Sequence, residues 1–113
     1  MGLHSIWRGC LPVRFKPALS LSGGALAQRD APTFKGSIYD SIVMKATNES
    51  CTLYTEDMPN GDVVKIADAL DKFPYDQAVL CEGCSELPED EYMDLQRMFR
   101  AYADAGYTLE GWW

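Results

Sequence analysis

The sequence predicts an α+β fold: a mixed or antiparallel sheet of four to five strands with two helices packed on one face. Two stretches place apolar residues at helical spacing, and several short apolar runs lie between turn signals. The resulting order is strand, strand, helix, strand, helix, strand, preceded by an irregular basic N-terminal arm. Two helices with one apolar stripe each cover one side of such a sheet and leave the other for the arm or for a partner.

Each element has its own signal. Residues 4–7 and 11–15 read as extended segments of the arm, laid along an edge of the body. Residues 37–45 are rich in Ile and Val, residues 51–55 alternate small and large side chains, and residues 47–50 supply turn chemistry between them, so a hairpin is expected. Asn60-Gly61-Asp62 offers a turn and an N-cap, after which Val63, Ile66, Ala67 and Leu70 recur at helical spacing until Phe73-Pro74 stops the run. Residues 77–81 form a short apolar run fit for a central strand. A second helix is expected to start between Ser85 and Glu89, with Tyr92, Leu95, Phe99 and Tyr102 on one face and Gly106 at its end, before a last strand over 107–109. Met44, Met93 and Met98 read as packing residues.

At 113 residues the chain suits one compact domain, and 47% hydrophobic with 24% charged residues is the composition of a globular one. No stretch approaches the roughly 20 uninterrupted apolar residues that span a bilayer, so no membrane partner is expected. A net charge of -7 disfavours direct contact with nucleic acid, whose phosphates call for an excess of Lys and Arg. That charge is unevenly placed. Residues 1–36 hold five basic residues against one acid, a charge of +4; residues 37–113 hold five against 16, a charge of -11. The chain therefore divides into a basic N-terminal arm, 1–36, packed on or extending from an acidic α+β domain, 37–113. A field of that sign attracts basic surfaces over about 8 Å at physiological salt.

Residues 1–28 contain no acid and several Ser and basic residues, the composition of a mitochondrial transit peptide. Pro12 and Pro17 would interrupt the helix such a peptide forms, so a cytoplasmic location in a host cell is the expectation and mitochondrial targeting the minor alternative. Ser22-Gly23-Gly24 is the obvious flexible punctuation.

Catalytic signatures are missing. His4 is the lone histidine, and neither a phosphate-binding glycine loop, an H-E-x-x-H pair nor a calcium-loop spacing of acids occurs. No enzyme activity and no cofactor are expected. Cys81-Glu82-Gly83-Cys84 is the sharpest local pattern, since two thiols at this spacing hold one metal or close a small disulfide. A zinc-stabilised or dithiol redox domain centred on Cys81 and Cys84 is therefore the alternative reading. Zinc would need Cys10, Cys51 or His4 to complete the set, and Glu82 and Glu86 should raise a neighbouring thiol pKa. Four reduced, partly buried cysteines is the plain reading.

The densest charge feature is Glu82, Glu86, Glu89, Asp90, Glu91 and Asp94, six acids without an intervening base. Part of it serves the helix, because acids in a first turn favour the dipole and Asp94–Arg97 and Arg100–Asp104 meet at helical spacing. The remainder is a candidate partner-binding patch, joined by Asp57 and Asp62 if the two helix starts lie at the same end of the sheet. Trp112 and Trp113 complete the candidate set, either as interface anchors or as a clamp that closes the core.

The acidic body, the small size, the missing catalytic motif and the Gly111-Trp112-Trp113 tail resemble the small phage-encoded inhibitors of bacterial defence, anti-CRISPR proteins among them. That resemblance implies a non-enzymatic inhibitor. Its partner would be a basic, nucleic-acid-binding surface of an RNA-guided effector complex or its nuclease, blocked from target DNA or from recruiting the nuclease. Oligomeric state has no mark in the sequence.

Overall fold

A computed structural model describes residues 3–15, 19, 21 and 32–113. Its elements are β1 (His4–Arg8), β2 (Thr33–Lys35), α1 (Gly36–Ala46), β3 (Asp57–Met58), α2 (Asn60–Lys72), α3 (Tyr75–Ala78), α4 (Glu89–Asp104) and β4 (Thr108–Trp112). The α+β expectation is met. Four antiparallel strands stand in the order β2-β1-β4-β3.

Alternation along the two inner strands sets the layers. Ser5 and Trp7 of β1, with Leu109 and Gly111 of β4, face the helices, whereas His4, Ile6, Arg8, Thr108, Glu110 and Trp112 lie on the opposite face. Trp7 is 1% exposed and stacks on Tyr102 at 4.5 Å and Phe34 at 5.7 Å, with the edge of Phe99 at 5.2 Å. Aromatic pairs of this kind add about 0.5–1.5 kcal/mol each beyond area burial.

Helices α2 and α4 pack antiparallel against one another. Val63, Ile66, Ala67 and Leu70 of α2 are buried, as are Tyr92, Leu95, Met98, Phe99 and Tyr102 of α4, so both predicted apolar stripes face the core. Tyr92 Oη donates to the carbonyl of Phe73 at 2.6 Å, tying the first turn of α4 to the end of α2. At the opposite end the N-cap is Pro59 and not a residue of Asn60-Gly61-Asp62: no side chain caps α2, and Asn60 Nδ2 instead donates to the carbonyls of Ala103 and Tyr107 at 3.1 and 2.9 Å. Arg100 clamps the outer seam, reaching Asp68 at 2.6 Å, Asp71 at 2.8 Å and Asp104 at 3.4 Å. Gly106 ends α4 with φ +79°, a left-handed conformation that glycine adopts without cost.

Several local expectations are corrected. Residues 37–45 lie in α1, not in a hairpin strand: Tyr39, Ile42 and Val43 are buried and Ile38 and Ala46 half-buried, a 3.6-residue pattern that outweighs the β-branched composition. The turn at 47–50 forms, with Asn48 and Glu49 at positive φ, but it leads from a helix into an irregular segment over 51–56. Residues 77–81 are not a central strand. Pro74 starts the short α3, turns continue to Cys84, and Leu80 is 76% exposed. Met98 is in the core, whereas Met93 is 53% exposed.

The arm is also different in kind from the expectation. Its first segment, β1, is an inner strand paired on both sides, five residues deep with β4, and not an edge. Residues 11–15 are not a strand; Phe15 instead packs on Tyr102 at 5.7 Å, beneath the Arg97 guanidinium at 5.9 Å. The Ser22-Gly23-Gly24 stretch, with residues 1–2, 16–18, 20 and 25–28 of the transit-like segment, falls outside the described residues. Among the described residues, no helix is long and apolar enough to cross a membrane.

Candidate functional site

The chain order of β3 and β4 brings together residues more than fifty positions apart. Asp57 pairs with Glu110 and Met58 with Leu109, so Asp57 and Glu110 sit side by side on the helix-free face of the sheet. Two residues along β4, Trp112 lies on that same face, and its indole N–H donates to Glu110 Oε2. Gly111, between them, faces inward, and its N–H reaches the carbonyls of Thr55 and Glu56 at 3.1 and 3.2 Å. A Cβ on Gly111 would stand 2.5 Å from the Thr55 carbonyl oxygen, so only glycine lets the 53–56 backbone run this close to β4.

The result is a pocket of about 400 Å³ lined by Glu56, Asp57, Glu110, Gly111, Trp112 and Trp113. Its volume lies in the range of roughly 300–1,000 Å³ typical of ligand sites. Trp112 is 60% and Trp113 57% exposed, and Trp113 rests edge-on against Tyr54 at 5.7 Å. The two tryptophans therefore form a surface wall and do not close the core. Glu110 is held below the ordinary carboxylate pKa, first by the Trp112 indole N–H and then by Arg8, whose guanidinium stands 3.4 Å away. Among the described residues neither Glu56 nor Asp57 is in an ion pair. Charge on this open face runs from Lys35 on β2 and Arg8 on β1 to Glu110 on β4 and Asp57 on β3.

No family model, curated protein or solved structure matches this chain.

The other predicted site residues separate into distinct places. Glu82 and Glu86 are exposed in the loop before α4, and Glu89 and Asp90 are exposed in its first turn. Glu91 turns inward: it is 8% exposed and accepts a hydrogen bond from Tyr39 Oη at 2.7 Å. Asp94 is 13% exposed and paired with Arg97 at 2.6 Å. Asp62 is exposed in the first turn of α2. Because α2 and α4 are antiparallel, the two helix starts lie at opposite ends, roughly 18 Å apart at 1.5 Å per residue over α2. Asp57 and Asp62 consequently stand apart from the Glu86–Asp90 group.

Of the ten predicted site residues, Asp57, Trp112 and Trp113 line one pocket. Glu56 and Glu110 were not among the predicted residues. The alternation Thr108-Leu109-Glu110-Gly111-Trp112 carries a signal for Glu110, since period two places 110 and 112 on one face. Glu56 has no comparable signal.

The cysteine pair has a different character. Cys84 is buried, Cys81 half-buried, and Cys84 Sγ lies 3.6 Å from Ser41 Oγ. Burial, and then the neighbouring Cys84, push the Cys81 thiol pKa up against the opposing pull of Lys45. The rise is as expected, but its causes are desolvation and the second thiol, not Glu82 and Glu86. Among the described residues no three His, Cys, Asp or Glu side chains converge on one point, and Cys10 and Cys51 do not join the pair.

Proposed function

We infer that this chain is a non-enzymatic inhibitor that binds a basic, nucleic-acid-binding protein surface, of the kind found on an RNA-guided effector complex or its nuclease, in the cytoplasm of a host cell. The reading rests on one observation: two exposed tryptophans share a pocket with Glu56 and Asp57, which are in no ion pair among the described residues. Tryptophan in such a setting supplies contact area at low entropic cost, and fixed carboxylates take the places of phosphates along a groove built to hold them. Occupying that groove excludes target DNA or the subunit recruited to it.

The exposed acids at the start of α4 and the body-wide charge act differently. They raise the rate of encounter with a basic partner and contribute little once contact is made. The test is capture of a partner from host extract, followed by displacement with DNA or RNA. Charge reversal by Glu56→Lys with Asp57→Lys is expected to abolish capture, whereas Glu86→Lys with Asp90→Lys slows association and leaves the complex formed. Capture that nucleic acid does not displace, or that survives the first pair of substitutions, overturns the reading.

A further inference from the structure

The lining of the β3–β4 pocket is specific enough to name what enters it. We propose that the pocket is a receptor for an arginine side chain, the guanidinium stacking on the indole wall of Trp112 and Trp113 and hydrogen-bonding to the carboxylates of Glu56 and Asp57. The assignment rests on the inhibitor reading above for the source of that arginine, a protein partner.

Three features of the pocket select this ligand. Carboxylates from β3, the segment before it and β4 exclude an anion and favour a cation. Among the described residues no three acidic side chains converge as a metal site requires, and carboxylates spread along a wall suit an extended cation better than a point charge. The walls are indole rings, which attract a cation over their faces, most strongly when it is partly desolvated. A guanidinium is planar, stacks on such a face and carries a fork of N–H donors that reaches two carboxylates together; an ammonium offers a compact, strongly hydrated charge instead.

The chain already shows the contact in miniature. The Arg8 guanidinium stands 3.4 Å from Glu110 Oε2, the same oxygen that accepts the Trp112 indole N–H. Arg8 thus neutralises one pocket carboxylate from the flank and repels an incoming cation. Its removal should therefore strengthen binding, a direction of effect that damage to the fold would not produce.

The experiment is a titration of the intact chain with the blocked tripeptide acetyl-Gly-Arg-Gly-amide, followed by the Trp112 indole N–H resonance and by tryptophan fluorescence. Parallel titrations use the lysine peptide and the citrulline peptide, which keeps the shape of arginine without its charge. The arginine peptide should shift the indole resonance saturably, the lysine peptide should bind at least about threefold more weakly, and the citrulline peptide should leave the resonance in place. Glu56→Gln with Asp57→Asn should weaken arginine binding, and Arg8→Gln should tighten it by up to about fivefold. Equal binding of lysine and arginine, binding of citrulline, or weaker binding by Arg8→Gln would overturn the assignment. Failure of all the peptides while nucleic-acid-displaceable capture persists would remove the arginine receptor and leave the inhibitor reading standing. Peptide binding without any such capture would do the reverse.

Discussion

One carboxylate oxygen of Asp40, on α1, accepts the backbone N–H of Leu53 at 2.7 Å and the hydroxyl of Thr52 at 2.9 Å. Asp40 is 9% exposed, and through this oxygen it holds the 51–56 segment against the helix. That segment presents the Thr55 and Glu56 carbonyls to Gly111 and so places the wall of the pocket. Hydrogen bonds to a charged acceptor contribute about 1.5–3 kcal/mol, and losing this one leaves a buried N–H unpaired. Asp40→Ala is therefore expected to lower stability by about 2–3 kcal/mol in urea denaturation and to weaken binding at the pocket, although Asp40 does not line it.

Within β1, Ser5 is fully buried and its hydroxyl has no hydrogen-bond partner among the described residues. Its small size has a reason, since a Cβ on Gly36 at the start of α1 would lie 2.3 Å from Ser5 Oγ. An unpaired buried hydroxyl costs on the order of 1–3 kcal/mol, and alanine removes it without adding volume. Ser5→Ala should raise the melting temperature. Gly36→Ala should lower it, and lower it less in the Ser5→Ala background, because the tightest clash is with the hydroxyl oxygen, with Leu3 Cδ2 following at 2.9 Å; a double-mutant cycle measures that coupling.

Sequence and structure agree where the determinants are local. The apolar stripes of α2 and α4, the stop at Gly106 and the pairs Asp94–Arg97 and Arg100–Asp104 all depend on residues three or four apart, and each is found. They part where the partner is distant. The strand β1 is central because it pairs with β4 about a hundred residues later, and no local pattern at residues 4–8 states that. Residues 37–45 carry the β-propensity of Ile and Val, but burial of Tyr39, Ile42 and Val43 on one side decides for a helix. The pocket follows the same rule: Trp112 and Trp113 were visible as anchors and Asp57 as an acid, but their meeting depends on the β3–β4 register.

Arg100 joins Asp68 and Asp71 of α2 to Asp104 of its own helix, and these contacts hold its pKa above the ordinary arginine value, Asp68 first and Asp71 second. All three acids are exposed, so the network is screened by solvent and salt. Arg100→Ala should destabilise by only about 1 kcal/mol at low ionic strength, and by less at high salt. Chemical denaturation with urea, which adds no ions, at two salt concentrations tests this. A salt-independent loss would assign the effect of Arg100 to packing of its aliphatic stem instead.

The alkaline limit of stability follows from buried tyrosines. Burial pushes the Tyr102 phenol up to about 12, with the neighbouring Tyr107 adding to the rise, and burial likewise pushes Tyr92 up to about 12. In the unfolded chain a tyrosine titrates near its ordinary value of about 10. Between pH 10 and 12 the unfolded state therefore binds fewer protons than the folded one, and unfolding stability must fall as pH rises through that window. Below pH 10 both states keep the proton and these groups leave stability unchanged. Thermal denaturation followed from pH 8 to 12 in a Cys81→Ser background, which removes the raised thiol that would otherwise begin the decline near the ordinary cysteine value of about 8.5, should show a flat region and then a decline. Tyr92 Oη donates to the Phe73 carbonyl at 2.6 Å, so its replacement would mix a lost hydrogen bond with the lost titration. Tyr102→Phe is the cleaner variant: it should leave the neutral-pH melting temperature nearly unchanged while making the alkaline decline shallower. An unaltered decline in that variant would mean that Tyr102 is not held neutral by the fold.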